Sequence, residues 1–245
     1  MLVVANLFML IVLPVAVFFL AHLFVPTLAV ALMLLAAMPS GMTSPLLVEV
    51  VKGNTGLALV LTLTTALLAP FTIPLVIQVL AGTAVTVSAL TMFGKLAFVI
   101  ILPFALAQLV RHFWHRRLKV TFFTFKPISL ILLGLLIAGE IAKQAWVITN
   151  GFGAGLLIQL LILTVFIALL WIAGYAVIFW RPAKDRLTSA VCLTFMNFTL
   201  AIYLAGNFFS DPNVLLSAVL IIFPWALLLL PFKYALQRFL KTFNL

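Results

Sequence analysis

The chain has 245 residues, of which 67% are apolar and 7% charged, with a mean hydropathy of +1.38. These values lie far outside the range of soluble domains and exclude a water-soluble enzyme or binding module. The net charge of +10 reflects 14 Lys and Arg against four Asp and Glu, and its placement along the chain points to a membrane surface.

No charged side chain precedes Glu49 and none lies between Lys52 and Lys95, so apolar runs longer than the ~20 residues needed to cross a bilayer recur. Interruptions by charge, Gly, Pro and Asn predict an all-α polytopic membrane protein of about eight helices: 1–23, 27–52, 55–80, 88–111, 126–147, 153–180, 186–209 and 213–237. The first is expected to be a retained helix, because it lacks a basic leading segment and a clear small-residue cleavage pattern. Lipid is therefore the first partner. The sixth span ends on Trp180 and Arg181, residue types that anchor in the headgroup zone.

Lys and Arg are held on the cytoplasmic side during insertion. With eight crossings and both termini cytoplasmic, twelve of the fourteen basic residues fall on one side, the exceptions being Lys95 and Lys143 within spans. The expected setting is a bacterial inner membrane. The stretch RHFWHRRLKVTFFTFK, Arg111 to Lys126, interleaves basic and aromatic residues but is read as a cytoplasmic loop beside anionic lipid, not as a nucleic-acid site. His112 and His115 within it are read as solvated, with no Cys, Asp or Glu nearby to complete a metal site. His22 is read as an interface residue.

Two spans interrupt themselves. The second carries AAMPSGMTSPLLVEV, where Pro39, Gly41 and Pro45 should break the helix and leave free backbone groups beside the hydroxyls of Ser40, Thr43 and Ser44. Non-helical chain at membrane depth survives only where protein or a watery cavity satisfies it. The seventh places Cys192, Thr194, Asn197 and Thr199 amid apolar residues. The charge-based topology makes the two spans antiparallel counterparts five crossings apart, and interrupted helices at matching positions of inverted halves point to a secondary transporter's binding site.

At these residues the chain resembles the bile acid:sodium symporter family, within a larger group that includes arsenite permeases and auxin-type carriers. PSGMTSPLLVEVVKGN is similar to that family's Pro-Gly-Gly-Thr-x-Ser-Asn segment and the Lys/Arg-Gly-Asn/Asp turn after it. LTLTTALLAPFTIP, with Thr62, Thr65, Pro70 and Pro74, is similar to its Thr- and Ser-bearing fifth helix, and MNFTLAIYLAGNFF to its Gln-Asn-Ser-Gly-Leu-Ala stretch. The resemblance implies two inverted five-helix repeats with broken helices that cross near the midplane. This chain is expected to hold an incomplete first repeat, 1–82, and a full second repeat, 83–245. The resemblance also implies that the first two family helices are lacking, through a natural short form or loss of the start.

The polar residues at the two breaks and on the Thr-bearing helix, Ser40, Thr43, Ser44, Thr62, Thr65, Thr194, Asn197 and Thr199, are the candidates for substrate or ion binding, and the resemblance makes Ser44 and Thr62 the retained candidates for sodium. Yet Pro45 stands where the family has Asn, Cys192 where it has Glu and Met196 where it has Gln. Sulfur is a poor ligand for a hard cation, so at least one ordinary sodium site is expected to be absent. No other cofactor is expected. Glu140, with Lys143 one turn on, is either half of an ion pair or a coupling residue, since intramembrane ionisable groups are functional candidates by default. Glu49 is expected to pair with Lys52.

The function these features favour is alternating-access transport of a small organic anion, with sodium coupling in doubt. NFTLAI also resembles a stretch of arsenite permeases, but Thr199 replaces their Glu and Ser40 their broken-helix Cys; Cys192 would be the soft ligand in that reading. A non-transporting incomplete homologue, a homo-oligomer, or a subunit whose missing helices come from a partner forms a separate class. An intramembrane enzyme is not expected, because the spans hold no paired nucleophile and base.

Overall fold

The computed structural model describes residues 1–82, 88–143, 154–225 and 227, with 111–143 described mainly by their backbone. Among the described residues the architecture is all-helical. Helix α1 spans Leu2–Phe24 and widens into a π turn over Phe8–Val12, where Pro14 has no N–H to return to the Leu10 carbonyl. Helix α2 follows at Pro26–Ala36. Pro39 lies just beyond its end, and the second half of the expected span resumes as α3, Ser44–Val50, with Pro45 in its first turn. Pro45 thus starts a half-helix instead of breaking one, as suits a residue with a preset φ and no N–H to leave unpaired.

Helix α4, Thr55–Ala81, begins at Asn54, whose side chain accepts from Leu57 N–H and caps it. Its 27 residues carry Pro70 and Pro74 internally, which membrane helices tolerate. Helix α5 runs over Ala89–Lys143 and α6 over Ala154–Ala176. Helices α7, Ala183–Thr194, and α8, Phe198–Phe208, are the two halves of the second broken span, and α9 covers Pro212–Trp225. Among the described residues, Leu2–Phe24, Thr55–Ala81, Ala89–Val110 and Gly155–Ala176 are long and apolar enough to cross a membrane. The chain is an integral membrane protein.

One expectation fails in α5. The loop read over 111–126 is helical, so the spans expected at 88–111 and 126–147 are continuous in a 55-residue helix. At 1.5 Å per residue such a helix is about 80 Å long, well beyond the ~30 Å hydrocarbon core. The segment between Pro103 and Pro127 contains no Gly or Pro, so no residue there opposes the helix, and a cluster of charges alone does not end one. The side chains of Glu140 and Lys143 lie outside those described.

The halves of the chain interleave. Helix α9 packs on α2 and α8, α7 packs on α3, α4 and α6, and α5 lies along α4. Gly174 permits the α6–α7 approach, since a Cβ there would stand 2.7 Å from Ala190 Cα and 2.9 Å from Leu193 Cβ. The buried apolar residues form two clusters, one including Leu34, Ile77, Phe166 and Met196, the other Val48, Leu61, Cys192 and Phe195. Phe195 and Met196 are neighbours assigned to different clusters, which puts the second break on the boundary between them.

Candidate functional site: the crossing of two broken helices

The two breaks meet. Residues 39–41 and 195–197 run antiparallel as a single β-bridge centred on Ser40 and Met196. Gly41 N–H donates to Phe195 O at 2.8 Å and Asn197 N–H donates to Pro39 O at 2.8 Å. Each break thereby supplies partners for backbone groups that the other has freed, which is what unwound chain at membrane depth requires. Gly41 is needed for the approach: a Cβ would lie 2.7 Å from Phe195 O and 3.0 Å from Met196 O, both fixed backbone atoms.

Side chains complete the junction. Ser44 Oγ donates to Phe195 O at 2.7 Å. Ser40 N–H donates to Thr65 Oγ1 at 3.2 Å, while Thr65 Oγ1 donates back to Leu61 O. Ser40 Oγ and Thr62 Oγ1 share a hydrogen bond of 3.1 Å. Helix α4 thus holds the first break, and the first break holds the second. Ser40, Ser44, Thr65, Cys192 and Thr194 are all buried. Thr194 spends its hydroxyl on Ala190 O of its own helix.

The expected site residues therefore separate into two groups. Ser40, Ser44, Thr62 and Thr65 form the scaffold, with Thr194 beside it. Thr43, Asn197 and Thr199 are partly exposed. Asn197 Oδ1 accepts from Leu200 N–H and caps α8, and among the described residues nothing accepts from its Nδ2. The hydroxyls of Thr43 and Thr199 likewise have no partner among the described residues.

Of the hydroxyls that the family resemblance offers to sodium, Ser44 donates to the Phe195 carbonyl and Thr62 shares a hydrogen bond with Ser40. Cys192, buried where the family has a carboxylate, brings sulfur to the crossing.

Several participants were not apparent in the sequence. Phe195 supplies its carbonyl to two donors, and Trp225 stands edge-on to the Phe195 ring with centroids 5.5 Å apart. The indole Nε1 of Trp225 is buried without an acceptor among the described residues. Asp185 is buried within α7. Its carboxylate takes Arg181 Nε at 2.9 Å and Arg181 Nη2 at 2.8 Å, both on Oδ2. Glu49 and Lys52 form no such pair. Lys52 has φ 58°, beyond the end of α3, so helical i, i+3 geometry does not apply to it.

The sequence profile of the family described as Sodium Bile acid symporter family matches residues 1–151. The chain belongs to the sodium bile acid symporter family. No curated protein matches it at a significant level. The family match includes the first break with α4 and stops short of the second, so the bridge between Ser40 and Met196 pairs a break inside the matched segment with one outside it. Members of the family are membrane transporters, and this chain is of that type.

Proposed function

We propose that the chain moves a small organic anion by alternating access past the crossing, without sodium at the usual family sites. The observation that carries this reading is the crossing itself, two unwound segments paired to each other by backbone hydrogen bonds. Asn197 Nδ2, Thr199 Oγ1 and Thr43 Oγ1 are neutral donors left without partners among the described residues, and the first two stand at the N-terminus of α8, where the partial positive charge of the helix favours an anion. The nearest membrane-embedded ammonium on the neighbouring helix α5, Lys95, lies over the Phe208 ring at the opposite end of α8. Recognition then rests on the amide, hydroxyls and helix dipole.

The second reading is arsenite-type efflux, favoured by the soft donor Cys192 buried in the last turn of α7 beside the crossing. Thermal unfolding of the purified protein with taurocholate, pantothenate, short keto acids and arsenite, each in sodium and in choline buffer, separates these readings. A ligand present at 100 times its dissociation constant stabilises the folded state by about 2.7 kcal/mol. Stabilisation by an organic anion equally in both buffers is the expected result, and stabilisation that requires sodium overturns the sodium-independent part. Stabilisation by arsenite alone selects the second reading. Silence across the panel favours a non-transporting chain or one that needs a partner's helices.

A further inference from the structure

About a dozen residues from the crossing, the first and second halves of the chain are joined a second time. The turn 51–54 that closes α3 is a Schellman motif: Lys52 N–H donates to Glu49 O at 3.1 Å and Gly53 N–H to Val48 O at 2.8 Å. It presses on α7. A Cβ on Gly53 would stand 2.8 Å from Thr188 Oγ1. Asn54 N–H donates to Thr188 Oγ1 at 2.7 Å, and Asn54 Nδ2 donates to Asp185 Oδ1 at 2.9 Å. Thr188 in turn donates to Lys184 O, and Arg181 holds the other carboxylate oxygen of Asp185. Asn54 Oδ1 is meanwhile committed to capping α4. Every polar atom in the set has a partner, and Asp185 and Thr188 are buried.

We infer that Asp185 is a positioning residue that sets the register of the crossing by acting through Asn54. Helices α4 and α7 are two rods fixed at both ends. At one end Asn54 is tied to Asp185 and Thr188. At the other, Thr62 and Thr65 of α4 hold Ser40, which is bridged to Met196 just past the end of α7. The intervening lengths are eight to eleven residues on α4 and about ten on α7, so both rods are on the order of 12–16 Å long. A slip of one residue at the Asn54 end moves the other by about 1.5 Å, enough to lose hydrogen bonds of 2.7–3.2 Å. Asp185 is suited to prevent that slip because it is buried and reaches both its partners, whereas Arg181 is 43% exposed and would remain solvated without it.

The single cysteine of the chain, Cys192, is fully buried on α7 between the two ends and reports on this register without any knowledge of the transported solute. The test is the rate at which N-ethylmaleimide alkylates Cys192 in the purified, detergent-solubilised full chain, read by mass spectrometry beside size exclusion and a melting curve. Alkylation of a buried thiol tracks the population of locally opened states. Asp185→Ala, in folded protein, is expected to raise the rate at least about tenfold, and Asp185→Asn, which keeps an acceptor for Asn54, about two- to threefold. Asn54→Asp sets two carboxylates face to face and should raise the rate about tenfold; combined with Asp185→Asn, which restores a donor–acceptor pair, the rate should fall back to within about threefold of wild type.

A folded Asp185→Ala protein alkylated at the wild-type rate overturns the inference. Should that variant fail to fold, the Asn54→Asp pair decides: equal rates with and without Asp185→Asn also overturn it. The inference takes its functional meaning from the crossing as transport site, but the two fail separately. Normal alkylation behaviour with no ligand found leaves the register standing and counts against the transport reading, while an anion bound by a protein whose Cys192 ignores Asp185 does the reverse.

Discussion

The turn after the first broken helix can be compared with the turn after the second. After the first, Asn54 caps α4 and also reaches across to Asp185 and Thr188. After the second, Asp211 caps α9 by accepting from Asn213 N–H at 2.9 Å, and its carboxylate makes no bond to the other half of the chain among the described residues. The far end instead has a cavity of about 350 Å³ between the starts of α2, α6 and α9, lined by Thr27, Gln159, Asn213 and Leu216 among others. The local capping chemistry is repeated; the tertiary use of it is not. Among the described residues, polar contacts join the two halves of the chain at one end of the core and not at the other.

The largest effect should come from the point both halves share. Gly41→Ala drives a Cβ against two carbonyl oxygens, and overpacking of that kind costs about 3 kcal/mol; a sharply lowered unfolding midpoint in detergent is expected, and an unchanged one would mean the breaks do not touch. Next comes the comparison itself. Asn54→Ala removes a cap and leaves Asp185 short of a buried partner, for a loss of about 2–3 kcal/mol, whereas Asp211→Ala removes a cap alone, for about 1 kcal/mol. Equal losses in chemical denaturation would abolish the distinction between the ends. Ser44→Ala deletes one buried hydrogen bond and should cost about 1 kcal/mol, because Gly41 N–H still serves the Phe195 carbonyl; an effect as large as that of Gly41→Ala would make the hydroxyl the main tie. The smallest change is a gain: Lys52→Gly relieves a left-handed backbone and should stabilise by about 1 kcal/mol, seen as a slightly raised midpoint.

Much of the crossing was legible because Pro39 and Gly41 disrupt helix through their own covalent structure, and the hydroxyls beside them mark a polar site wherever the chain then goes. The second break has neither Pro nor Gly between Thr194 and Phe198. Polar residues signal it, Asn197 among them as a capping type, and its geometry is completed by pairing with residues 39–41. Asp185 was missed for a related reason. In sequence it belongs to a charged connector, and nothing local says that α7 begins before it or that Asn54, 131 positions away, will bury it. Charge density misled in the opposite sense over 111–126, where basic residues suggested a loop and the backbone stays helical.

The pairing of the two breaks also constrains how the protein is made. Ser44 and the carbonyl it donates to are 151 residues apart. At synthesis rates of about 5–20 residues per second, roughly 8–30 s pass between the emergence of one and the other. During that interval the first broken helix has entered the membrane with its freed backbone groups lacking their eventual partners. The nascent chain must therefore be sheltered, by water within the insertion machinery or by transient contacts with α4, until its own second half arrives to close the gap.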